Sequence, residues 1–371
     1  MHRSHSIPPV ILVTCGDPAG IGPEVVAAAW SAPALHERAR LRVVCDAATM
    51  ADALAVVGRR ATGAESRVAA LEVVSASDPR ASGPETLLVI TPRDVPLAPI
   101  AKGTITAAGG RAAVAAVETA FGLVQAGHGE AIVTGPLHKE AIHAAGRDEP
   151  GHTELLARAC GLPDEAASMM LWLPPQGTDA DQRGLGVVHA TLHESLRNAV
   201  QHLSTDRIVE AGRRIAVLLE AVLHCQPRLA VAALNPHGGE GGLFGDEERR
   251  IIAPAVATLV SQGLDVVGPL PADTLFLRAS RGSFDGVVAM YHDQGHIPVK
   301  LLGMHRAVNI TLGLPIVRTS VAHGTAFDIV ESGTADPSSM RAAIDMAIRL
   351  VAAGWPPATA AADRGASRSR P

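Results

Sequence analysis

Short apolar runs alternate with helical patterns along almost the whole chain, and that alternation predicts a parallel sheet wrapped by helices. The runs that read as strands are Val10–Thr14, Leu41–Cys45, Leu87–Ile90, Ala131–Thr134, Met169–Leu173, Gly186–Ala190, Leu229–Ala233 and Gly286–Tyr291. Apolar positions spaced by three and four predict helices over Pro23–Trp30, Ala108–Val124, Thr205–His224, Glu247–Gln262 and Ser339–Ala352. Ser75–Pro99, Pro174–Arg183 and the tail from Pro356 read as loops, and the small polar tail, residues 357–371, is expected to be disordered. No internal repeat is visible.

At roughly 150 residues per domain, a chain of 371 suggests two domains. A boundary is placed near Glu130, where the polar motifs begin. With 47% apolar but only 2% aromatic residues, the core must be built from Ala, Val, Leu and Ile, and a substrate site must be polar. The net charge of −5, with basic residues scattered, disfavours binding to nucleic acid or a membrane surface through bulk electrostatics. Cys15, Cys45, Cys160 and Cys225 lie far apart without a CxxC pair, which predicts buried reduced thiols. The apolar run near the N-terminus is too short for a signal or a membrane span, so a cytoplasmic location is expected.

Four features could carry chemistry. Gly16-Asp17-Pro18-Ala19-Gly20-Ile21-Gly22-Pro23-Glu24 follows a strand and opens a helix, yet lacks the GxGxxG spacing and the lysine of the phosphate-binding signatures; a plain strand-to-helix turn serves equally well. Of sixteen histidines, His152, His193, His237 and His292 stand where strand candidates end, the side of a parallel sheet that faces ligands. Three imidazoles with an open position make a catalytic metal site, although any one of them can equally be a hydrogen-bonded cleft residue. Lys300, Asn309 and Arg318 bring an ammonium, an amide and a guanidinium from adjacent apolar segments and suit a small anion, the alternative being solvated charges at strand ends. Ala322–Asp328 is a polar glycine turn entering a helix.

Together the motifs resemble the 4-hydroxythreonine-4-phosphate dehydrogenase family. The matching segments, in order, are Gly16–Glu24, Thr134-Gly135-Pro136, Gly151-His152-Thr153-Glu154, Leu234-Asn235-Pro236-His237, Gly268–Phe276, Tyr291-His292-Asp293-Gln294-Gly295 and Val308–Asp328. The resemblance implies an isocitrate dehydrogenase-like two-domain α/β/α fold and a homodimer with its active site at the subunit interface. The first domain, residues 1–130 with 305–356, would carry the nucleotide, and the second, residues 131–304, the metal and the dimer contact.

The resemblance also places the metal ligands on His193, His237 and His292, drawn from both chains. It places the substrate contacts on His152, Thr153, Lys300, Asn309 and Arg318, and NAD in the interdomain cleft beside His323, Gly324, Thr325 and Ala326. One divalent ion per site is implied, zinc or else magnesium, manganese or cobalt. Asp293 and Lys300 are the candidate general bases.

The run Gly295–Lys300, the Pro before Gly151 and His193-Glu194-Ser195-Leu196-Arg197 look more like the branch that oxidises 4-phospho-D-threonate and 4-phospho-D-erythronate than like the vitamin B6 branch. The expected reaction is NAD-dependent oxidation of the C3 hydroxyl of such a phosphorylated acid, followed by decarboxylation of the β-keto acid. The alternatives are the vitamin B6 enzyme itself, a dihydrodiol dicarboxylate dehydrogenase, a phosphate acyltransferase, whose chemistry needs no histidine shell, and a binding protein.

Overall fold

The computed structural model describes residues 7–60, 70–93, 100–149, 151–175 and 183–357. The tail from residue 358, Pro150 and most of the 174–183 insertion lie outside the described residues. The chain forms two compact units, Met1–Ser168 with Gly313–Pro371, and Met169–Leu312. The break expected near Glu130 falls instead at 168/169, because Ala131–Thr134 is an inner strand of the first unit's sheet.

Unit 1 runs through β1 (Val10–Thr14), α1 (Gly22–Trp30), α2 (Pro33–His36), β2 (Arg40–Val44), α3 (Ala47–Arg60), β3 (Ala70–Val73), β4 (Thr86–Ile90), α4 (Ala107–Gln125), β5 (Ala131–Thr134), α5 (Lys139–Ala144) and α6 (His152–Ala159). Unit 2 comprises β6 (Ser168–Leu173), β7 (Leu185–His189), α7 (Leu196–His202), α8 (Thr205–Leu223), β8 (Leu229–Ala232), α9 (Ala253–Ser261), β9 (Val266–Leu270), α10 (Ala272–Ser280), β10 (Gly286–Ala289), α11 (His292–Gly303) and β11 (Val308–Leu312). The chain then returns to unit 1 with β12 (Val317–Val321) and α12 (Ser338–Ala352).

The unit 1 strands lie in the order β3-β4-β2-β1-β5-β12 and pair in parallel throughout. Ile11, Leu12, Val43, Ile132 and Val133 are fully buried, as expected of strands covered on both faces. The register aligns Thr14 with Thr134 and Thr134 with Ser320, so three hydroxyls stand at the carboxyl ends of neighbouring strands. Gly16, at φ +74°, turns the chain out of β1 so tightly that a Cβ there would lie 2.2 Å from the Pro136 carbonyl.

In unit 2 the order is β11-β6-β7-β10-β8-β9, and here the expected all-parallel sheet fails: β6 is antiparallel to β7. A parallel partner needs a crossover of about a dozen residues or more, usually helical, whereas only the stretch 174–184 joins these two strands. The helix expected over Glu247–Gln262 opens with a π turn at Glu248–Ile252, in which the Ala253 N–H reaches back to the Glu248 carbonyl. Pro254, which has no N–H to donate, sits at the junction with α9.

His292–Gly303, read in sequence as polar turn and apolar segment, is helix α11 with Pro298 inside it. Lys300 therefore projects from a helix, not a strand end. His152 likewise opens α6 rather than closing a strand, and Ala322–Asp328 leads only into a single 3₁₀ turn at Phe327–Ile329. Cys15 and Cys45 are buried as expected, but Cys160 and Cys225 are only half-buried; all four are free thiols.

Helix α4 is the one described helix long and apolar enough by length and composition to cross a bilayer. Its Ala113, Val117 and Ala120 are buried, and the helix packs on β1, β2, β5 and α5. Gly110 permits the α5 contact, since a Cβ there would lie 2.0 Å from the Ala141 carbonyl; Gly122, on the same helix, has nothing within 4 Å. Gly110→Ala is expected to destabilise unit 1 by about 1–3 kcal/mol through overpacking. Gly122→Ala should stabilise it by about 0.5–1 kcal/mol through helix propensity. Urea unfolding of the two variants checks the pair, and equal midpoints would contradict the packing.

Candidate active site

In unit 1 the strand-end hydroxyls organise a buried cation. Arg318, on β12, is 1% exposed, and its Nε and Nη2 donate to Thr134 Oγ1 at 3.2 and 2.7 Å. Thr134 Oγ1 in turn donates to Ser320 Oγ (3.0 Å), which donates to the Thr134 carbonyl (2.8 Å). Burial pulls the guanidinium down to about 9, against the opposing pull of Glu154. Arg318 thus still carries its charge at neutral pH.

His152 and Glu154 lie in the first turn of α6. Burial, reinforced by Arg318, holds His152 well below the usual imidazole range, so this ring is neutral, and its Nε2 is shielded without a hydrogen-bond partner. A buried cation beside a neutral imidazole with a spare nitrogen can receive an anion and hydrogen-bond it. Thr153 shares that first turn and is half-buried.

The Gly16–Glu24 turn meets the His323–Ala326 turn directly. The Ile21 N–H donates to the Thr325 carbonyl (2.9 Å), and a Cβ on Gly20 would lie 2.5 Å from that same oxygen. Glu24 accepts from the Glu331 and Gly333 N–H groups. Ala326 holds a left-handed φ of +42°, and a Cβ on Gly324 would meet nothing within 4 Å, so one side of this turn is open to a close approach by a ligand.

The sequence reading missed the polar groups beneath. Asp17 is 1% exposed; its Oδ1 accepts from the Ala19 N–H while Oδ2 has no partner. Burial raises its pKa, opposed by that hydrogen bond, His138 and Lys102. Lys102 Nζ donates to the Pro18 carbonyl, and His138 stacks on Phe327 at 5.1 Å. Asp17 stands inside a motif already singled out; His138 and Lys102 had no local signal.

In unit 2, His193 follows β7, and His292 opens α11 after β10. Their ring centres lie 5.8 Å apart, and both line a cavity of about 520 Å³ with Glu194, Ser195, Leu196, Tyr291 and Asp293. His292 Nδ1 is 2.7 Å from Asp293 Oδ1, so an Nδ1–H donates to that carboxylate and Nε2 is the ring nitrogen turned to other partners. Behind His292 sit two further imidazoles that the sequence reading did not single out. His296 stacks on His292 at 3.6 Å, and its Nδ1 is 3.2 Å from His189 Nε2. Burial takes His296 down to about 4 and His189 well below the usual range, so both are neutral. The i, i+4 spacing of His292 and His296 is the signal, legible only once α11 is read as a helix.

His237 is held differently. Residues 237–241 all adopt left-handed conformations, with His237 at φ +54°, and its ring lies 6.4 Å from that of Phe244. Glu248 clamps the start of this loop, accepting from the Leu234 and Asn235 N–H groups and from Asn235 Nδ2 at 2.7–2.9 Å. Among the described residues, no three His, Cys, Asp or Glu side chains form a group able to hold a metal ion. Within one chain, then, His193 and His292 stand together, and His237 does not complete a three-residue group with them. The His193–His292 pair fits a shared ion, since two imidazoles on a tetrahedral ion at about 2.0 Å from each nitrogen put their ring centres roughly 5 Å apart. The remaining expected contacts also lie in unit 2. Lys300 is exposed on α11, and half-buried Asn309, on β11, donates to Met169 Sδ while its Oδ1 is shielded without a partner.

The model of the pyridoxal phosphate biosynthetic protein PdxA family matches residues 37–347. A 4-hydroxythreonine-4-phosphate dehydrogenase of Beijerinckia indica subsp. indica is 43% identical over 92% of this chain and 94% of its own length. A D-threonate 4-phosphate dehydrogenase of Pectobacterium atrosepticum is 42% identical over 92% of this chain and 99% of its own. A solved 4-hydroxythreonine-4-phosphate dehydrogenase from Klebsiella pneumoniae superposes with a TM-score of 0.77 at 41% identity, covering 94% of this chain and 99% of that one.

The clamp on the His237 loop is testable through pH. Burial alone would raise the Glu248 pKa, but the donors from Asn235 and Leu234 outweigh it, and the net value falls below the ordinary 4.5. Its stabilising effect is thus present above 4.5 and lost as pH falls through the depressed value. Glu248→Gln turns one acceptor into a donor and should cost roughly 1–3 kcal/mol at neutral pH. That gap should narrow well below pH 4.5, as read from urea midpoints; a pH-independent gap would contradict the ionic clamp.

Proposed function

The chain belongs to the PdxA family and is an oxidoreductase acting on the CH–OH group of a phosphorylated substrate, and from that premise we propose the particular reaction. The substrate is a 4-phosphorylated hydroxy acid of the 4-phospho-D-threonate or 4-phospho-D-erythronate type, oxidised at C3 with NAD and then decarboxylated. The observation that carries the reading is the His193–His292 pair over one cavity, with Asp293 fixing the His292 proton on Nδ1. The sequence run Gly295–Lys300 favours this substrate over 4-hydroxythreonine 4-phosphate, the second reading.

Arg318, carried charged in a buried setting, and neutral His152 bind the anionic end of the substrate, with Thr153 adding a hydrogen bond. His193 and His292 hold the divalent ion, with His237 supplied by a second copy of the chain. Held there, the ion would supply Lewis-acid polarisation of the C3 hydroxyl, and NAD, held at the His323–Ala326 turn, would supply the hydride acceptor. Asp293 is engaged with His292, so of the two candidate bases Lys300 is the one left to take the hydroxyl proton. The β-keto acid then loses CO₂, the C–C electron pair passing into an enolate that is protonated at carbon.

A homodimer is supported by exposed apolar side chains on the three segments that carry the histidines. Leu196 is 60% exposed, Leu243 73% and Leu301 82%, and Phe244 and Ile297 are also exposed. Exposed apolar groups in such number favour a partner surface.

Three outcomes are expected. Metal analysis followed by an NADH absorbance assay should show ion-dependent turnover, fastest with 4-phospho-D-threonate or 4-phospho-D-erythronate and lost in His292→Ala; faster turnover of 4-hydroxythreonine 4-phosphate would select the second reading. The phosphorylated acid should raise the Tm of the wild type but not of Arg318→Met, whose KM should rise about 10- to 100-fold, the worth of a charge-assisted hydrogen bond; an unchanged KM would remove Arg318 from the site. Leu301→Glu should shift the molar mass in light scattering from dimer to monomer and abolish turnover, and an active monomer would refute the shared shell.

A further inference from the structure

His292 is restrained on two sides, by the Asp293 carboxylate on one and by a second imidazole on the other. On the other side His296, one helical turn along α11, lies flat on the His292 ring with centroids 3.6 Å apart and planes 9° from parallel. Its Nδ1 is also 3.1 Å from the His292 carbonyl oxygen. His189, the last residue of β7, reaches the same Nδ1 with its Nε2.

Both rings are withdrawn from solvent, at 6% and 7% exposure, and His189 Nδ1 is buried with no hydrogen-bond partner. An unsatisfied buried polar atom costs roughly 1–3 kcal/mol, so an apolar side chain would serve packing better at this position. The backbone accommodates the arrangement: a Cβ on Gly295 would lie 2.4 Å from His189 Nε2, so β7 and α11 can hold this imidazole between them only because residue 295 has no side chain.

We infer that His296 and His189 are positioning residues for His292, a stacked imidazole wall that holds the ring of the proposed metal ligand in one orientation. The inference rests on the ion-binding role given to His292 above. Flat stacking opposes rotation of the His292 ring, and the His189 contact opposes rotation of His296, so the open Nε2 keeps a fixed direction. Partners behind a ligand typically change ion affinity 10- to 100-fold when removed.

The test titrates Co²⁺ into the full-length, chelator-treated protein, reading the dissociation constant and the visible absorption spectrum, with Tm and the split between kcat and KM alongside. His296→Ala is expected to weaken Co²⁺ at least tenfold, alter the spectrum and lower kcat while the KM for NAD holds. His296→Phe, which restores the flat ring without the nitrogen, is expected to recover most of the affinity and the spectrum. His292→Ala is the reference and should abolish the Co²⁺ spectrum. A lowered Tm in His296→Ala with wild-type Co²⁺ affinity and spectrum would overturn the positioning role alone. Wild-type Co²⁺ binding by His292→Ala would overturn the ligand assignment and the inference with it.

Discussion

Backbone meets backbone at the carboxyl ends of β1 and β5, and unit 1 is arranged around that contact. A Cβ on Gly16 would strike the Pro136 carbonyl, and one on Gly135 would lie 2.4 Å from the Cys15 carbonyl, so the two turns are pressed together from both directions. With them closed, Thr134 stands between its neighbours in register and its hydroxyl is available to Arg318. The same closure draws the Gly16–Glu24 turn against Thr325. A larger residue at either glycine would separate the strand ends whose hydroxyls hold the guanidinium.

Burial sorts the histidines into two kinds. His152, His189 and His296 are kept neutral by loss of solvent, and each either faces a cation or backs another imidazole. His292 keeps about a third of its side-chain surface and has its proton fixed by a carboxylate instead. The chain uses one residue type as neutral filler and as oriented donor, and environment alone separates the roles.

Much of the fold was legible because apolar runs bounded by turn residues are unambiguous: Val10–Thr14 and Ala131–Thr134 coincide with β1 and β5. What escaped had a physical cause. Edge strand β3 is mostly exposed and gives no buried run; α11 hides behind a glycine and Pro298; and the antiparallel β6–β7 pair is decided by the length of a connection, which hydrophobicity does not report. The site motifs could be recognised by resemblance, yet neither the left-handed conformation of residues 237–241 nor the wall behind His292 can be deduced from spacing unless the backbone path is known.

Pro298 has a mechanical consequence for α11. Lacking an N–H, it leaves the Gln294 carbonyl without its partner one turn on, so the helix is weakest at that point. The segment before it is pinned by Gln294, which receives the Met290 N–H and donates to the Ala233 carbonyl, both at 2.6 Å. The segment after it carries exposed Lys300 and Leu301. The histidine end of α11 is thus tied to the ends of β8 and β10, while beyond Pro298 one carbonyl link of the rod is missing, so its two halves are anchored unequally.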